Sequence, residues 1–395
     1  MIRPCPLCDT PEGDVLHTQH FVALSGSPLP DCYDFVICPN CGFGFADTPA
    51  TQETYSEFYR SFSKYGADHT DKEESLQLEQ NRRDNQARII ARFLKGPKDR
   101  ILDVGCSRGK LLSSIRTLGF TELYGLDPLP ACIERIEELG FRAIKGELFD
   151  YPPLVDELPF DMVIISHVLE HIRDLQRVPV ETAKFLGDEG LCYVEVPDAS
   201  AFGRYPMVPY FYFDGEHIDH FDVPSVENLF RRGGFEPIAN GEIVIRKTHY
   251  EYPAVYVVLR KGDPGLWDGR FSYTDGVRRG LSEHLEWSRR HSIDNYLEAL
   301  QKSDESVVVW GAGQMTFRLL AISPLGKCNI AFFIDKDTTK QGTQLNGVSV
   351  LAPEALDEFG GTVLIASAYY SDEIADDIKR RGYKNTIVNL SELFK

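Results

Sequence analysis

Short apolar runs alternate along most of this chain with longer stretches whose apolar positions recur at helical spacing. ILDVG from Ile101, LYGLD ending at Asp127, PFDMVIIS from Pro159 and GLCYVEVPD from Gly190 to Asp198 read as buried strands, with crossover helices between them. Strand and helix in strict alternation predict an α/β fold with a doubly wound parallel sheet. GEIVIRK and AVYVVLRKG follow as closing antiparallel strands. The pattern restarts at SVVVWGAGQMTFRLL, Ser306 to Leu320, and runs through NIAFFIDKD and TVLIASAYY, which predicts a second α/β unit.

Helical periodicity also spans Leu78 to Leu94, closed by Gly96 and Pro97, and Tyr273 to Gln301, where Leu281, Leu285, Trp287, Ile293, Leu297 and Leu300 share an apolar side. Tyr55, Phe58, Tyr59, Phe62 and Tyr65 recur at a roughly helical interval. Two readings stay open for them: a helix packed on the core, or a lid over a bound substrate. Between Asp198 and Pro224 the aromatic and proline residues are too irregular for one helix, a place where an acceptor pocket can be grafted onto strand tips. The expected organisation is a cysteine-bearing module (1–55), a helical linker or lid (56–97), a core (98–262), a connecting helical segment (263–304) and a C-terminal Rossmann-like unit (305–395).

At 395 residues and 43% apolar content the chain can bury several cores. Its formal charge of -18 opposes a role in gripping nucleic acid, whose phosphates demand basic surface. It opens on no basic head with an apolar signal segment, and no apolar run is long enough to span a bilayer, so the expected compartment is the cytoplasm. The cysteines change the picture more. CPLC places Cys5 and Cys8, and CPNCG places Cys38 and Cys41, in two knuckles that can aim four thiolates at one tetrahedral ion. Structural zinc is the expected occupant, with redox dithiols as the alternative. Cys32, Cys106, Cys132, Cys192 and Cys328 stand apart and read as packing residues.

The richest chemistry lies in ILDVGCSRGKLL. A buried strand delivers Asp103, Gly105 lets the backbone approach a ligand, Ser107 lies in the turn, and Gly109 brings the turn against the next helix. This DxGxxxG spacing differs from the GxGxxG fingerprint that cradles a pyrophosphate. It suits S-adenosylmethionine, which has no phosphate, with Asp103 at the methionine amino end. Asp127, at the tip of the next strand, is placed for two ribose hydroxyls, and Glu147 in IKGELFD for the adenine amino group. His167, first after the fourth strand, lines the same pocket. In the second α/β unit Gly311 and Gly313 precede a helix and Asp335 ends the following strand, but Thr316 occupies the third glycine position. That disfavours a dinucleotide and leaves a phosphate-bearing ligand at the helix start or a structural role.

CPLC with CPNCG, DVGCSRG, HVLEH, YVEVP, GEHIDHF, WGAGQ, FFIDKDTTKQG and GVSVLAPEAL, in that order, resemble the three-part sugar C-methyltransferase family. The resemblance covers nearly the whole chain. It implies an N-terminal zinc module, a class I methyltransferase core, a C-terminal Rossmann-like domain, and a nucleotide-linked keto sugar as acceptor. In that family a histidine of a YHEH segment helps abstract the proton beside the ketone. Glu216 and His217 match the last two residues of that segment, and His171 matches a pocket histidine. Asp214 stands at the tyrosine position and Gly215 at the first histidine. Loss of the tyrosine shifts the expectation toward O-methylation of a sugar, with His217 as base and Glu216 orienting it, because a hydroxyl proton needs less help to leave. C-methylation of a keto sugar and a non-catalytic cofactor-binding scaffold are the other readings.

Overall fold

The computed structural model describes residues 2–62, 73–153 and 158–394 and contains three sheets. The first is built from β1 (Asp14–His20), β2 (Cys32–Ile37) and β3 (Gly44–Asp47), an antiparallel meander whose first hairpin fills the interval between the two cysteine pairs. Two helices follow, α1 (Gln52–Phe62) and α2 (Glu73–Ala91). Of the aromatic series expected on the first, Tyr55 and Phe58 are buried and Tyr65 lies outside the described residues.

The central sheet is assembled from β4 (Arg100–Val104), α3 (Lys110–Thr117), β5 (Glu122–Asp127), α4 (Pro130–Glu138), β6 (Arg142–Lys145), β7 (Phe160–Ser166), α5 (Val178–Phe185) and β8 (Leu186–Pro197). After β9 (Asp219–His220) and α6 (Val223–Arg231), it closes with β10 (Glu236–Arg246) and β11 (Glu251–Arg260). Strand order is β10-β11-β8-β7-β4-β5-β6, with β11 antiparallel to β8. Burial on both faces explains the continuous apolar runs: Val163 and Ile165 of β7 enter one core, Met162 and Ile164 the other.

β9 does not join this sheet. It pairs antiparallel with β3, Phe45 opposite Asp219, so the N-terminal module and the GEHIDHF segment share one sheet. Arg3 fastens the junction from full burial, donating from Nη2 to Asp219 at 2.9 Å, from Nε to Ala46 O at 3.0 Å and from Nη1 to Arg173 O at 3.0 Å. A buried guanidinium is tolerated there because several acceptors, one of them an anion, meet it.

The helical stretch expected from Tyr273 to Gln301 is two helices, α7 (Gly276–Arg290) and α8 (Asp294–Ser303), with Ser292 Oγ accepting the Asp294 N–H at the break. α7 lies against residues 199–204 so closely that a Cβ on Gly280 would stand 2.1 Å from Ala199 O. The last sheet contains β12 (Val307–Trp310), α9 (Gln314–Ile322), β13 (Ile330–Ile334), β14 (Gln344–Leu345), β15 (Val348–Leu351), β16 (Thr362–Ile365), α10 (Ser371–Arg380) and β17 (Ile387–Asn389). Its order is β14-β15-β13-β12-β16-β17, parallel except for the β14–β15 hairpin. This unit is sewn to the N-terminal module by Val22 N–H donating to Phe317 O at 3.0 Å and Ser25 N–H to Gln344 O at 2.9 Å. Among the described residues no helix is long and apolar enough to cross a membrane.

Candidate active site

β4 and β5 run parallel with Asp103 opposite Gly125; Asp103 is the last residue but one of β4, and β5 ends on Asp127. The connection out of β4 is a tight turn in which Gly105, Ser107 and Gly109 all take the left-handed region, φ 72°, 47° and 73°. At Gly105 and Gly109 a Cβ would also collide, 2.7 Å from Val168 Cγ2 and 2.7 Å from Ile136 Cδ1. The turn brings the Ser107 N–H to Asp127 Oδ2 at 2.9 Å, while Asp127 Oδ1 accepts the Leu129 N–H at 3.0 Å. Each oxygen keeps a lone pair for a hydroxyl. Burial raises the Asp127 carboxyl despite those two donors, and it lifts Asp103 to about 7 against the nearby Arg83 guanidinium. A buried carboxylate in want of a cation fits the ammonium of S-adenosylmethionine. Cys106, inside the turn, packs over Gly125, where a Cβ would lie 2.6 Å from its sulfur.

β7 is the neighbour of β4 on its other side, and its exit carries HVLEH. His167, at φ 55°, contacts two buried carboxylates, Glu195 Oε1 at 3.2 Å and Glu170 Oε1 at 3.3 Å. Burial opposes a charge on its ring, yet the two acids prevail and raise its pKa. Both acids are depressed to about 2 in spite of their own burial, Glu195 with added help from Arg82 at 3.3 Å. Tyr193 OH donates to the other Glu195 oxygen at 2.6 Å.

Beyond it stands a second cluster. A turn at residues 169–171 is joined to the GEHIDHF loop by the Ile218 N–H donating to Glu170 O at 2.9 Å and by His171 Nδ1 lying 3.1 Å from Glu216 O. The His171 and His217 rings come within 4.6 Å of each other. Burial, then the His217 charge, depress His171 to about 4. α1 reaches both ends of the site, since Tyr59 OH is 2.6 Å from His171 Nδ1 and Ser56 Oγ donates to Glu147 at 2.5 Å. Glu147 is thus committed to a helix rather than projecting freely from the strand tip.

The orienting role expected of Glu216 is corrected. Its carboxylate accepts from Gln314 Nε2 of α9 at 3.2 Å, and it is Asp214 that faces the His217 ring, Oδ2 to Nδ1 at 3.7 Å. Asp214 Oδ1 also accepts the N–H groups of Glu216 at 2.8 Å and His217 at 2.6 Å. Burial pushes Asp214 up, but His217 and these donors hold it below the usual carboxylate range. An aspartate suits this turn because its short side chain caps the backbone after it. Tyr210 and Tyr212 bring no phenol to the cluster: one ring stacks on His17 and the other hydroxyl donates to Tyr205 O at 2.6 Å. His220 is buried within the aromatic core, beside Phe35.

Glu170, Glu195, Arg82 and Gln314 are residues of this network that reading the sequence missed. HVLEH and YVEVP contain the first two, and a polar residue inside an otherwise apolar strand was a usable signal for Glu195. A cavity of about 290 Å³ opens beside this network, lined by Arg82, Lys110, Lys247, Tyr250, Tyr369 and Tyr370 among others. It lies between the central sheet's helices and the residues that follow β16.

The cysteines do converge. Cys5 and Cys41 sulfurs are 3.7 Å apart, those of Cys8 and Cys38 are 3.4 Å apart, and all four lie within 4.8 Å of one another.

A parallel sheet closed by an antiparallel strand, with acids at the tips of its first two strands around a glycine turn, defines a class I S-adenosylmethionine-dependent methyltransferase domain. Comparison agrees: a family described as methyltransferase domain matches residues 78–240, and one described as C2185-like, N-terminal, matches residues 303–388. The chain is similar to a ubiquinone biosynthesis O-methyltransferase of Pelagibacter ubique, 30% identical over 101 residues, which are 24% of this chain and 40% of that protein. It therefore spans well under half the length of that curated relative. Among solved structures, a 1,6-didemethyltoxoflavin-N1-methyltransferase of Burkholderia thailandensis matches at 18% identity and TM-score 0.42, over 57% of this chain and 98% of that one. A magnesium protoporphyrin IX methyltransferase of Synechocystis matches at 12% identity and TM-score 0.39, over 54% and 100%.

Proposed function

We propose that this protein transfers the methyl group of S-adenosylmethionine to a hydroxyl of a sugar, nucleotide-linked or on the way to a polysaccharide. The observation that carries the reading is that adjacent parallel strands β4 and β7 bring Asp103 and, through the turn after β7, His171 to one end of one sheet, where the loop before β9 adds His217. S-adenosylmethionine supplies an electrophilic methyl on a sulfonium. Asp103 binds its ammonium, Asp127 its ribose, and Glu147, steadied by Ser56, its adenine. His217 takes the acceptor proton, with Asp214 stabilising the imidazolium, and alignment in a closed site supplies much of the rate. α1 acts as the lid, because it touches the cofactor end through Ser56 and the acceptor end through Tyr59. The aromatic faces of Tyr250, Tyr369 and Tyr370 in the adjoining cavity suit a sugar or a nucleobase. The similar ubiquinone-biosynthesis protein is named for O-transfer, the same class of reaction.

One observation favours carbon methylation beside a ketone: Tyr59 returns to the cluster the phenol that the GEHIDHF loop lacks. Incubation with labelled cofactor and a panel of nucleotide sugars, with the label located by mass spectrometry, tests the main reading. Solvent deuterium washed into a carbon beside a ketone decides for the second, and no transfer to any sugar overturns the sugar acceptor.

We also propose zinc on Cys5, Cys8, Cys38 and Cys41. A tetrahedral ion with sulfur ligands at about 2.3 Å spaces them by about 3.8 Å, close to the separations present. Four thiolates leave no open position, so the ion is structural. Elemental analysis of protein purified without added metal should return one zinc per chain; free thiols and no metal would sink the assignment.

The C-terminal unit we read as Rossmann-like, with a bracing role toward the acceptor loop through Gln314.

A further inference from the structure

Glu170 is almost fully buried, and neither carboxylate oxygen has a hydrogen bond of good geometry; its nearest cationic neighbour is His167 Nδ1, 3.3 Å from Oε1. An anion so placed costs several kcal/mol unless something compensates it. On its other side stand His171 and His217, and one ligand atom from each of the three residues falls within 4.8 Å of the others. We propose that Glu170, His171 and His217 form a second divalent-cation site, separate from the four thiolates, at which the ion holds an acceptor oxygen.

The chemistry of the donors fits. Two imidazoles and a carboxylate on one side of an ion leave positions open for exogenous oxygen, the arrangement that suits harder transition cations rather than a closed structural site. His171 has its other nitrogen hydrogen-bonded, as metal-bound histidines do, and His217 has an acid beside its own. His171 Nδ1 faces Tyr59 OH at 2.6 Å and Glu216 O at 3.1 Å, and His217 Nδ1 faces Asp214 Oδ2 at 3.7 Å, which leaves Nε2 of both rings for the ion. The elements are held in register by the Ile218 N–H bond to Glu170 O, so the ligands do not depend on a loose loop.

This deepens the reading of the cluster as the acceptor-activating end and rests on it. In the metal-free site the His217 lone pair takes the hydroxyl proton. With the cation in place that lone pair is bound to the ion, the coordinated hydroxyl becomes more acidic, and its proton passes to water.

Mn²⁺ is the probe, because four soft thiolates discriminate against it while imidazole and carboxylate accept it. Titration of the full, zinc-loaded chain followed by the electron paramagnetic resonance of free Mn²⁺ should give about one bound ion per chain. Affinity should fall at least tenfold in Glu170→Gln. If that variant misfolds, His217→Gln, on a half-buried loop, should lose the ion with circular dichroism unchanged. No Mn²⁺ binding by the intact chain, or binding indifferent to both variants, overturns the site. The two readings fail separately: a His217→Ala variant that loses turnover in a chain that never bound Mn²⁺ keeps the base and removes the ion. Mn²⁺ bound by the intact chain and lost in His217→Gln, with turnover intact in His217→Ala, keeps the ion and removes the base.

Discussion

The two parallel-sheet units start alike and end differently. In both, a first strand runs into a glycine-containing turn and a helix, and an aspartate stands at the tip of the second strand, Asp127 as the last residue of β5 and Asp335 just after β13. Around Asp127 the turn is held open by three residues at positive φ, and the carboxylate accepts the backbone N–H groups of its own rim, at Ser107 and Leu129. Asp335 is used up locally: it accepts the Ala312 N–H at 2.9 Å and the Asp337 N–H at 2.9 Å and pairs with Lys340 at 3.1 Å. Thr316, at the third glycine position, turns its hydroxyl onto Gly311 O. The start of α9, where an anion was expected, carries Gln314, which takes the Glu216 carboxylate through Nε2 and accepts the Gly215 N–H at 3.3 Å through Oε1. One scaffold is arranged for a ligand and the other for its neighbour, which is why fold alone does not assign function.

The sharpest way to break that contrast is to attack the chemistry placed in the central unit. His217→Ala should lower turnover by roughly 100-fold or more with cofactor affinity intact, since general-base assistance is typically worth 10²- to 10⁴-fold; a loss of only a few-fold in steady-state assays would remove His217 as base. Next is the matched pair of acids. Asp127→Ala should weaken cofactor binding by about 1.5–3 kcal/mol in calorimetry, the usual size of a hydrogen bond to a charged group, whereas Asp335→Ala should leave it within about twofold. Equal effects would erase the distinction between the two units.

A pH titration sharpens it further. With Asp103 raised to about 7, the folded protein keeps a proton that the unfolded chain sheds near pH 4, so this group's contribution to stability is lost as pH climbs through that window. The cofactor's ammonium needs the ionised form. Affinity should therefore rise toward pH 7 and then level, with proton release on binding, and the slope should vanish in Asp103→Asn. A flat profile in the unaltered protein contradicts the assignment. The smallest effect is expected across the domain junction, where Gln314→Ala should cost about 0.5–1.5 kcal/mol of loop positioning, a few-fold in turnover at unchanged cofactor affinity. Unaltered kcat would reduce the junction to packing.

Strands and the cofactor turn were legible along the chain because their determinants are local: apolar runs between turn residues, and glycine where φ must be positive. The ends of α2 missed expectation only by a turn or so, whereas the break between α7 and α8 was not foreseen. The cysteine knuckles were legible for the same reason, each pair being three residues apart. What surrounds His217 was not. Tyr59 meets His171 across 112 residues, Gln314 meets Glu216 across 98, and β9 leaves the central sheet to complete the N-terminal one. The sequence by itself determined most strands of the two α/β units, where Asp103 and Asp127 fall at their tips, and that four thiolates come in pairs. Only the tertiary structure decided which acid faces His217, which phenol reaches His171 and which unit keeps an open turn, because those contacts depend on how separate layers pack, and no local periodicity encodes that distance.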